Sequence, residues 1–196
     1  MPVQGRSQET VQKVLAATAG LLAAGQSVEM LTTAGIAAEA RVSVGALYRF
    51  FPDKQAIVDA IALSHLERFQ EAMAGRLMLA FPPDAVAFIG AMVDAFAEYL
   101  EINLDFRTVA FGAQGGGRYV SRPTREAYAG SGEVSEMVRS FLAEAYEIAI
   151  TEDFERRLRL AIEIGDRLFA YAFERDDRAE VLGEAKRILV ATLFSP

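Results

Sequence analysis

Apolar residues recur along the chain at steps of three and four, which is the period of an amphipathic α-helix. The first run of this kind consists of Val11, Val14, Leu15, Thr18 and Leu22. Its spacing predicts a helix over about 8–24. Gly25 is placed to end that helix, because glycine readily adopts the left-handed backbone found beyond a helix C-terminus.

Two short helices are predicted next, each beginning at a residue whose side chain caps a helix N-terminus. The first is capped by Thr32 or Thr33 and runs through Ala40. The second is capped by Ser43 and runs to about Phe50. The two are close enough in sequence to form a helical pair around a tight turn.

A long fourth helix follows the break at Pro52, with Asp53 as its cap and 54–79 as its span. The strongest break in the chain is Pro82-Pro83, after which a second set of helices begins. These are expected at about 85–103, 104–111, 124–150, 152–175 and 178–194. The glycine-rich stretch GAQGGGRYVSRP is the best candidate for a loop among them.

No segment alternates apolar and polar residues in the manner of a strand, and no internal repeat is present. The pattern therefore predicts an all-α fold of about nine helices.

Composition indicates the class of protein and the compartment in which it is expected. Of the 196 residues, 52% are hydrophobic and 24% are charged, which is typical of a globular protein. The chain has no cysteine, no long apolar run and a polar N-terminus, so we expect a cytoplasmic protein without a membrane span. Residues 1–55 hold five cations and four carboxylates, although the whole chain has a net charge of -7. This asymmetry is compatible with binding of a polyanion at the N-terminal end only.

The stretch 32–54 has the pattern of a helix-turn-helix. In that motif two short helices cross steeply, which requires a small residue inside the first helix and apolar residues where the helices meet. Ala37 is the small residue, and the apolar positions are Ile36, Ala40, Val42 and Leu47. The N-terminus of the second helix would face the major groove of DNA, where Gly45 and Ala46 allow a close approach.

The letters TTAGIAAEARVSVGALYRFFPDK resemble the helix-turn-helix of the TetR (tetracycline-repressor-like) family of transcriptional regulators. The resemblance covers about residues 10–60. It implies a DNA-binding domain over 1–55, a connecting helix at 54–79, and a ligand-binding and dimerisation domain over 80–196. It further implies a homodimer that binds a double-stranded DNA operator and a small-molecule effector, most often as a repressor. No cofactor and no metal are expected.

The resemblance also assigns roles to individual residues. Thr33, Tyr48 and Lys54 match phosphate-contacting positions, and Val44, Gly45 and Ala46 match positions that face base edges. The full set of DNA-binding candidates is Thr33, Arg41, Ser43, Val44, Gly45, Ala46, Tyr48, Arg49 and Lys54. Arg6 is expected in an arm ahead of the first helix, where it would enter a minor groove or remain free.

Three residues depart from the family pattern. Arg41 stands where a turn glycine is usual, and a left-handed backbone there costs a non-glycine residue about 1 kcal/mol. Gly35 stands where relatives often have a cation, and Phe50 replaces a histidine or tyrosine. These departures predict a modest affinity for the operator.

The C-terminal half is rich in aromatic residues and methionines, most of which are expected to be core. The candidates for an effector pocket between helices are Phe88, Met92, Phe96, Tyr99, Phe106, Phe111, Tyr128, Met137 and Phe141. The last two helices have wide apolar faces, which predicts dimerisation through them.

Two alternatives remain open from the sequence. An enzyme on a helical bundle is disfavoured because convergent catalytic groups are scarce: His65 is the only histidine, and Gly112–Gly117 lacks the lysine of a phosphate-binding loop. An architectural DNA-binding dimer without an effector is the second alternative.

Overall fold

The computed structural model describes residues 2–112, 119–125 and 133–195. In this part of the chain the regular structure is entirely α-helical. The helices are α1 (Pro2–Ala23), α2 (Thr33–Glu39), α3 (Val44–Tyr48), α4 (Lys54–Leu79), α5 (Ala85–Ile102), α6 (Leu104–Phe111), α7 (Arg122–Arg125), α8 (Glu133–Tyr146), α9 (Glu152–Phe173) and α10 (Arg178–Phe194). The all-α prediction is confirmed. The single helix predicted over about 124–150 is wrong, because the described residues there form the single-turn α7 and the separate α8, and α8 ends at Tyr146, where Glu147 follows with a left-handed φ of 56°.

The chain divides into two compact units. The N-terminal unit comprises residues 1–67 and 100–121, and the C-terminal unit comprises residues 68–99 and 122–196. Helix α4 therefore contributes its first half to one unit and its second half to the other. Helix α6 belongs to the N-terminal unit because it packs against α1.

The core of the N-terminal unit follows the predicted periodicity of α1. Val14, Thr18 and Leu22 are buried on the face that packs against α2, α3 and α6. The Thr18 hydroxyl is satisfied inside the core, since it donates to the Val14 carbonyl at 2.8 Å. The expectation for Arg6 is wrong, because its backbone lies inside α1 and not in an arm ahead of it.

Helix α1 ends at Gly25 as predicted. The backbone of Gly25 is left-handed, with φ of 94°. The N–H groups of Gly25 and Gln26 donate to the carbonyls of Leu22 and Leu21, respectively, in the pattern of a Schellman motif.

Helix α2 ends in the same way, but with Arg41 in the position of the glycine. Arg41 has a φ of 54°, its N–H donates to the Ala38 carbonyl, and the N–H of Val42 donates to the Ala37 carbonyl. The predicted left-handed turn at Arg41 is confirmed. The turn reverses the chain so that α3 packs against α2.

A part-buried hydrogen bond joins α4 to α6 within the N-terminal unit. His65 is 1% exposed, and its Nε2 lies 2.8 Å from Asp105 Oδ2. The His65 ring also stacks on Phe106, with centroids 5.0 Å apart. Burial raises the pKa of the Asp105 carboxyl, but the hydrogen bond and the attraction from His65 outweigh burial and lower it overall.

The C-terminal unit contains two aromatic clusters. In the first, Phe88 stacks on Phe141 with centroids 4.4 Å apart, and Tyr146 packs against both rings. In the second, Phe96 makes edge contacts with Phe69 and Phe169. Aromatic contacts of this kind hold α5 against α8 and against α9.

Helices α9 and α10 pack closely along the chain's C-terminal end. The two helices meet at Gly165, where an added Cβ would lie 3.6 Å from Leu189 Cδ2, an ordinary van der Waals contact, so the packing does not require glycine there. The buried face of this pair contains Leu158, Ala161, Phe169, Ala172, Ala185, Leu189 and Leu193. Most of the apolar face predicted for dimerisation is thus buried within one chain.

We predict that Arg41→Gly raises the free energy of unfolding by about 0.5–1 kcal/mol, since glycine escapes the Cβ strain of a left-handed backbone. The matched control is Arg49→Gly, because Arg49 is equally exposed but has a right-handed φ of -66°. There glycine relieves no strain and lowers stability by about 0.5–1 kcal/mol. Urea denaturation of both variants measures the difference, and equal losses would show that Arg41 is not strained.

Candidate nucleic-acid interface

Helix α3 presents its N-terminal residues outward. The chain enters it through Ser43, whose hydroxyl oxygen accepts from the Ala46 N–H at 3.1 Å, as the sequence predicted. Leu47 is fully buried and fixes the rotation of the helix, so that Val44 is 42% exposed and Gly45 is also exposed. Ala46 is half-buried. The outer face of α3 therefore consists of small or apolar groups.

Gly45 leaves open space on that face. A Cβ built at Gly45 meets no atom within 4 Å apart from its chain neighbours and the helix's own backbone. Nothing within the fold therefore requires glycine at this position. Its absence of a side chain is instead suited to close approach by another molecule.

The beginning of α2 and the end of α3 are joined by a hydrogen bond between two candidate phosphate contacts. Thr33 Oγ1 and the Tyr48 hydroxyl lie 3.0 Å apart, and Tyr48 is half exposed. Thr32 is the residue that caps α2, with its hydroxyl oxygen accepting from the Gly35 N–H. Thr33 instead bonds to Tyr48. Of the two threonines that could cap α2, the cap is therefore Thr32.

Lys54 begins α4 as predicted, and its ammonium is held by the turn between α1 and α2. Nζ donates to the Val28 carbonyl at 2.8 Å and to the Glu29 carbonyl at 3.2 Å. An ammonium has three hydrogens, so these two bonds orient the group and leave one hydrogen for a further acceptor. These two carbonyls could not be predicted from the sequence, because every residue has a backbone carbonyl and no side-chain pattern marks the ones that accept.

The two candidate arginines are both exposed. The guanidinium carbon of Arg49 lies 4.8 Å from the centroid of the Phe50 ring, a cation–π contact. Arg41 projects from the left-handed turn just before α3. Phe50, which replaces the histidine or tyrosine of the family pattern, thus makes a favourable contact with the Arg49 guanidinium.

A segment distant in sequence also reaches this module. We call Tyr119, Val120 and Ser121 the 119–121 clasp. The Tyr119 carbonyl accepts from Gln55 Nε2 at 2.6 Å, and the Ser121 N–H donates to Asp59 Oδ1 at 2.8 Å. Both partners lie in the first turns of α4.

The side chain of Tyr119 completes the clasp. Its hydroxyl donates to Glu29 in the α1–α2 turn. This bond lowers the pKa of the Glu29 carboxyl and raises the pKa of Tyr119 to about 12. The roles of Glu29, Gln55, Asp59 and Tyr119 were not predicted, because contacts across 62 to 90 residues leave no local pattern in the sequence.

The nine candidate effector residues do not form one cluster in the described structure. Phe88, Phe96, Tyr99 and Phe141 belong to the aromatic clusters of the C-terminal unit. Met92 and Met137 are half-buried members of the same unit. Phe106 and Phe111 are buried and belong to the N-terminal unit, and Tyr128 lies outside the described residues.

The described residues show no sign of a metal site or of a membrane span. No group of three or more His, Asp or Glu residues that is suited to a metal ion occurs among the residues described. Within the same ranges, no helix combines the length and the apolar character needed to cross a membrane. His65, the only histidine, is committed to Asp105 and Phe106 in the core.

Comparison with known proteins identifies the module. Residues 14–61 match the family model described as bacterial regulatory proteins, tetR family. No curated protein gives a significant match to the chain.

Solved structures extend the likeness to the whole fold. A TetR-family transcriptional regulator from Streptomyces coelicolor shares 25% identity at a TM-score of 0.71, over 94% of this chain and 97% of that one. A TetR transcriptional regulator from Rhodococcus sp. RHA1 shares 17% identity at a TM-score of 0.71, over 97% and 98%. The fatty acid degradation regulator FadR from Bacillus halodurans shares 14% identity at a TM-score of 0.60, over 94% and 95%.

These matches are regulators, so the alternative of an enzyme on a helical bundle is set aside. The family model covers α2, α3 and the beginning of α4, which are the elements that build the outward face described above. Residues 14–61 therefore have the sequence of a tetR-family regulatory module, and the fold of the whole chain is similar to that of solved TetR-family regulators.

Proposed function

We propose that the chain is a cytoplasmic repressor that binds an operator through α2 and α3 and is released by a small-molecule effector. The observation that carries the DNA-binding part is the outer face of α3, where Gly45 leaves open space beside an exposed Val44. Such a face allows the helix backbone to enter the major groove closely.

We assign contacts on this face by chemistry. Thr33, Tyr48 and Lys54 offer hydroxyl and ammonium hydrogens suited to phosphate oxygens. Ser43, Val44, Gly45 and Ala46 line the part of α3 that faces base edges, and the exposed Arg41 and Arg49 flank it. Because Val44, Gly45 and Ala46 offer no side-chain hydrogen bonds, sequence choice rests on apolar contacts, DNA shape and the two arginines.

The substitution Gly45→Leu tests the proposed interface. The side chain fits the fold, since its Cβ enters open space, and leucine is a better helix former than glycine. In the groove it holds the helix away from the bases, so we expect affinity for DNA to fall more than tenfold. The measurement is a gel shift with the duplex that wild-type protein enriches from a random DNA library.

The matched control is Gly20→Leu in α1. Gly20 is also a helical glycine with no atom within 4 Å of an added Cβ, but it lies outside α2 and α3. We expect it to bind the same duplex as wild type does. Unchanged binding by Gly45→Leu, or the failure of wild-type protein to enrich any duplex, would contradict the proposed interface.

Homodimerisation through α9 and α10 is the second part of the proposal. Operator half-sites lie roughly 34 Å apart, so two recognition helices need a dimer to hold them. Three large apolar residues of these helices are exposed in the single chain, namely Leu160, Tyr171 and Ile188. A second copy of the chain would cover them.

We expect Ile188→Glu to weaken the dimer at least about a hundredfold, because an unpaired carboxylate would be buried at the interface. Met78→Glu is the control, since Met78 is 90% exposed and lies on α4. Sedimentation velocity over a range of protein concentrations measures both. A dimer that survives the change at Ile188 places the interface elsewhere.

The effector is the third part. We propose that it is an apolar compound bound among the aromatic residues and methionines of the C-terminal unit, with Phe88, Met92, Phe96, Tyr99, Met137 and Phe141 as the candidate contacts. Its binding would favour a dimer whose recognition helices are wrongly spaced for the operator. This requires that the effector bind the two states with different affinity.

Fatty acids are the first compounds to test, because a protein with the same fold, FadR from Bacillus halodurans, is described as a fatty acid degradation regulator. We expect a medium- or long-chain fatty acid to lower operator affinity at least tenfold, a coupling of about 1.4 kcal/mol. Gel shifts with and without each compound measure it, and sodium dodecyl sulfate below its denaturing range controls for detergency. If no apolar compound in a broad panel alters binding, the architectural alternative replaces this part.

A further inference from the structure

The 119–121 clasp is connected to Lys54 through a continuous series of contacts. The Tyr119 hydroxyl binds the Glu29 carboxylate, and the main-chain carbonyl of the same Glu29 accepts from Lys54 Nζ at 3.2 Å. The neighbouring Val28 carbonyl accepts from the same ammonium at 2.8 Å. One turn, which contains Val28 and Glu29, thus holds Lys54 on one side and is held by Tyr119 on the other.

The clasp is itself anchored firmly in the N-terminal unit. Val120 is 4% exposed, and the Tyr119 N–H donates to the Val109 carbonyl at the end of α6. Gln55 Nε2 bridges the Tyr119 carbonyl and Asp59 Oδ1, while Asp59 Oδ1 also accepts from the Ser121 N–H. The backbone of the clasp is therefore fixed without help from the Tyr119 hydroxyl.

The Tyr119 hydroxyl is therefore not needed to hold the clasp, and its role lies in its bond to Glu29. The Glu29 side chain is exposed, whereas Val28 beside it is buried, so burial holds the turn at Val28 and a hydrogen bond holds it at Glu29. A hydrogen bond from an anchored tyrosine restricts the turn and, with it, the two carbonyls that orient the ammonium. The Lys54 side chain then loses less conformational entropy when it binds a phosphate.

We propose that Tyr119 is a positioning residue for DNA binding, which acts through Glu29 to orient Lys54 at the beginning of α4. The proposal rests on the proposed function, because it takes Lys54 to contact DNA. It also makes the 119–121 clasp a control point for that contact, since any change that withdraws Tyr119 removes its restraint on Glu29.

The test is a double-mutant cycle on operator affinity with Tyr119→Phe and Lys54→Met. Phenylalanine keeps the ring and removes only the hydroxyl, and methionine keeps most of the lysine stem and removes the charge. We expect Tyr119→Phe alone to weaken binding about two- to twelvefold, the worth of one net hydrogen bond. In the Lys54→Met background the same change should have no effect.

The salt dependence separates positioning from general damage. Lys54→Met should reduce the slope of log affinity against log salt by about 1 if Lys54 neutralises one phosphate. Glu29→Gln should bind nearly as wild type, because the amide oxygen still accepts from Tyr119, whereas Glu29→Ala should match Tyr119→Phe.

The matched control is Tyr146→Phe. The Tyr146 hydroxyl also donates one hydrogen bond, to the Pro82 carbonyl at 2.8 Å, but both residues lie in the C-terminal unit. We expect it to lower thermal stability about as much as Tyr119→Phe does and to leave operator affinity unchanged.

The outcomes are distinguishable. If wild-type protein enriches a duplex but Tyr119→Phe binds it equally well, the positioning role is wrong and the proposed function stands. A loss from Tyr119→Phe that persists in the Lys54→Met background shows an effect that does not pass through Lys54, which also overturns the inference. If wild-type protein enriches no duplex at all, the proposed function is wrong, and the role of Tyr119 that rests on it is wrong as well.

Discussion

The left-handed turn at Arg41 is the constraint on which the DNA-facing module depends. The turn ends α2 and lets the chain reverse, so that Ile36, Ala37 and Leu47 are buried together where α2 and α3 meet. With Leu47 held inside, helical geometry requires Val44 and Gly45 to lie outside. The turn is achieved with an arginine and not a glycine, and the two Schellman hydrogen bonds stabilise it against the strain of the Cβ.

Short helices such as α2 and α3 are not stable by themselves, so their positions are set by caps and tertiary contacts. Thr32 and Ser43 satisfy N–H groups at the two N-termini. The hydrogen bond between Thr33 and Tyr48 then joins the helices on their outer side. Lys54 and the 119–121 clasp fix the α1–α2 turn from the direction of α4.

The C-terminal unit follows a different principle. Its order comes from large aromatic side chains, as in the stack of Phe88 on Phe141 and the edge contacts around Phe96. The close packing of α9 on α10 at Gly165 buries much of the apolar surface of both helices. What remains exposed there, including Ile188, is a small fraction of the face that the sequence pattern presents.

The sequence by itself determined the elements. Helical periodicity and capping residues predicted α4, α6 and α10 at the bounds that the structure shows, because amphipathic spacing, caps and breaks are local properties. The motif around Gly45 and Tyr48 likewise predicted the DNA-binding module. Only the tertiary structure decided how these parts are held. It placed Arg6 inside α1, gave Lys54 its two carbonyl partners and brought Tyr119 to Glu29 across 90 residues. Such contacts join groups far apart in the chain or involve backbone atoms common to all residues, so no pattern of side chains along the sequence encodes them.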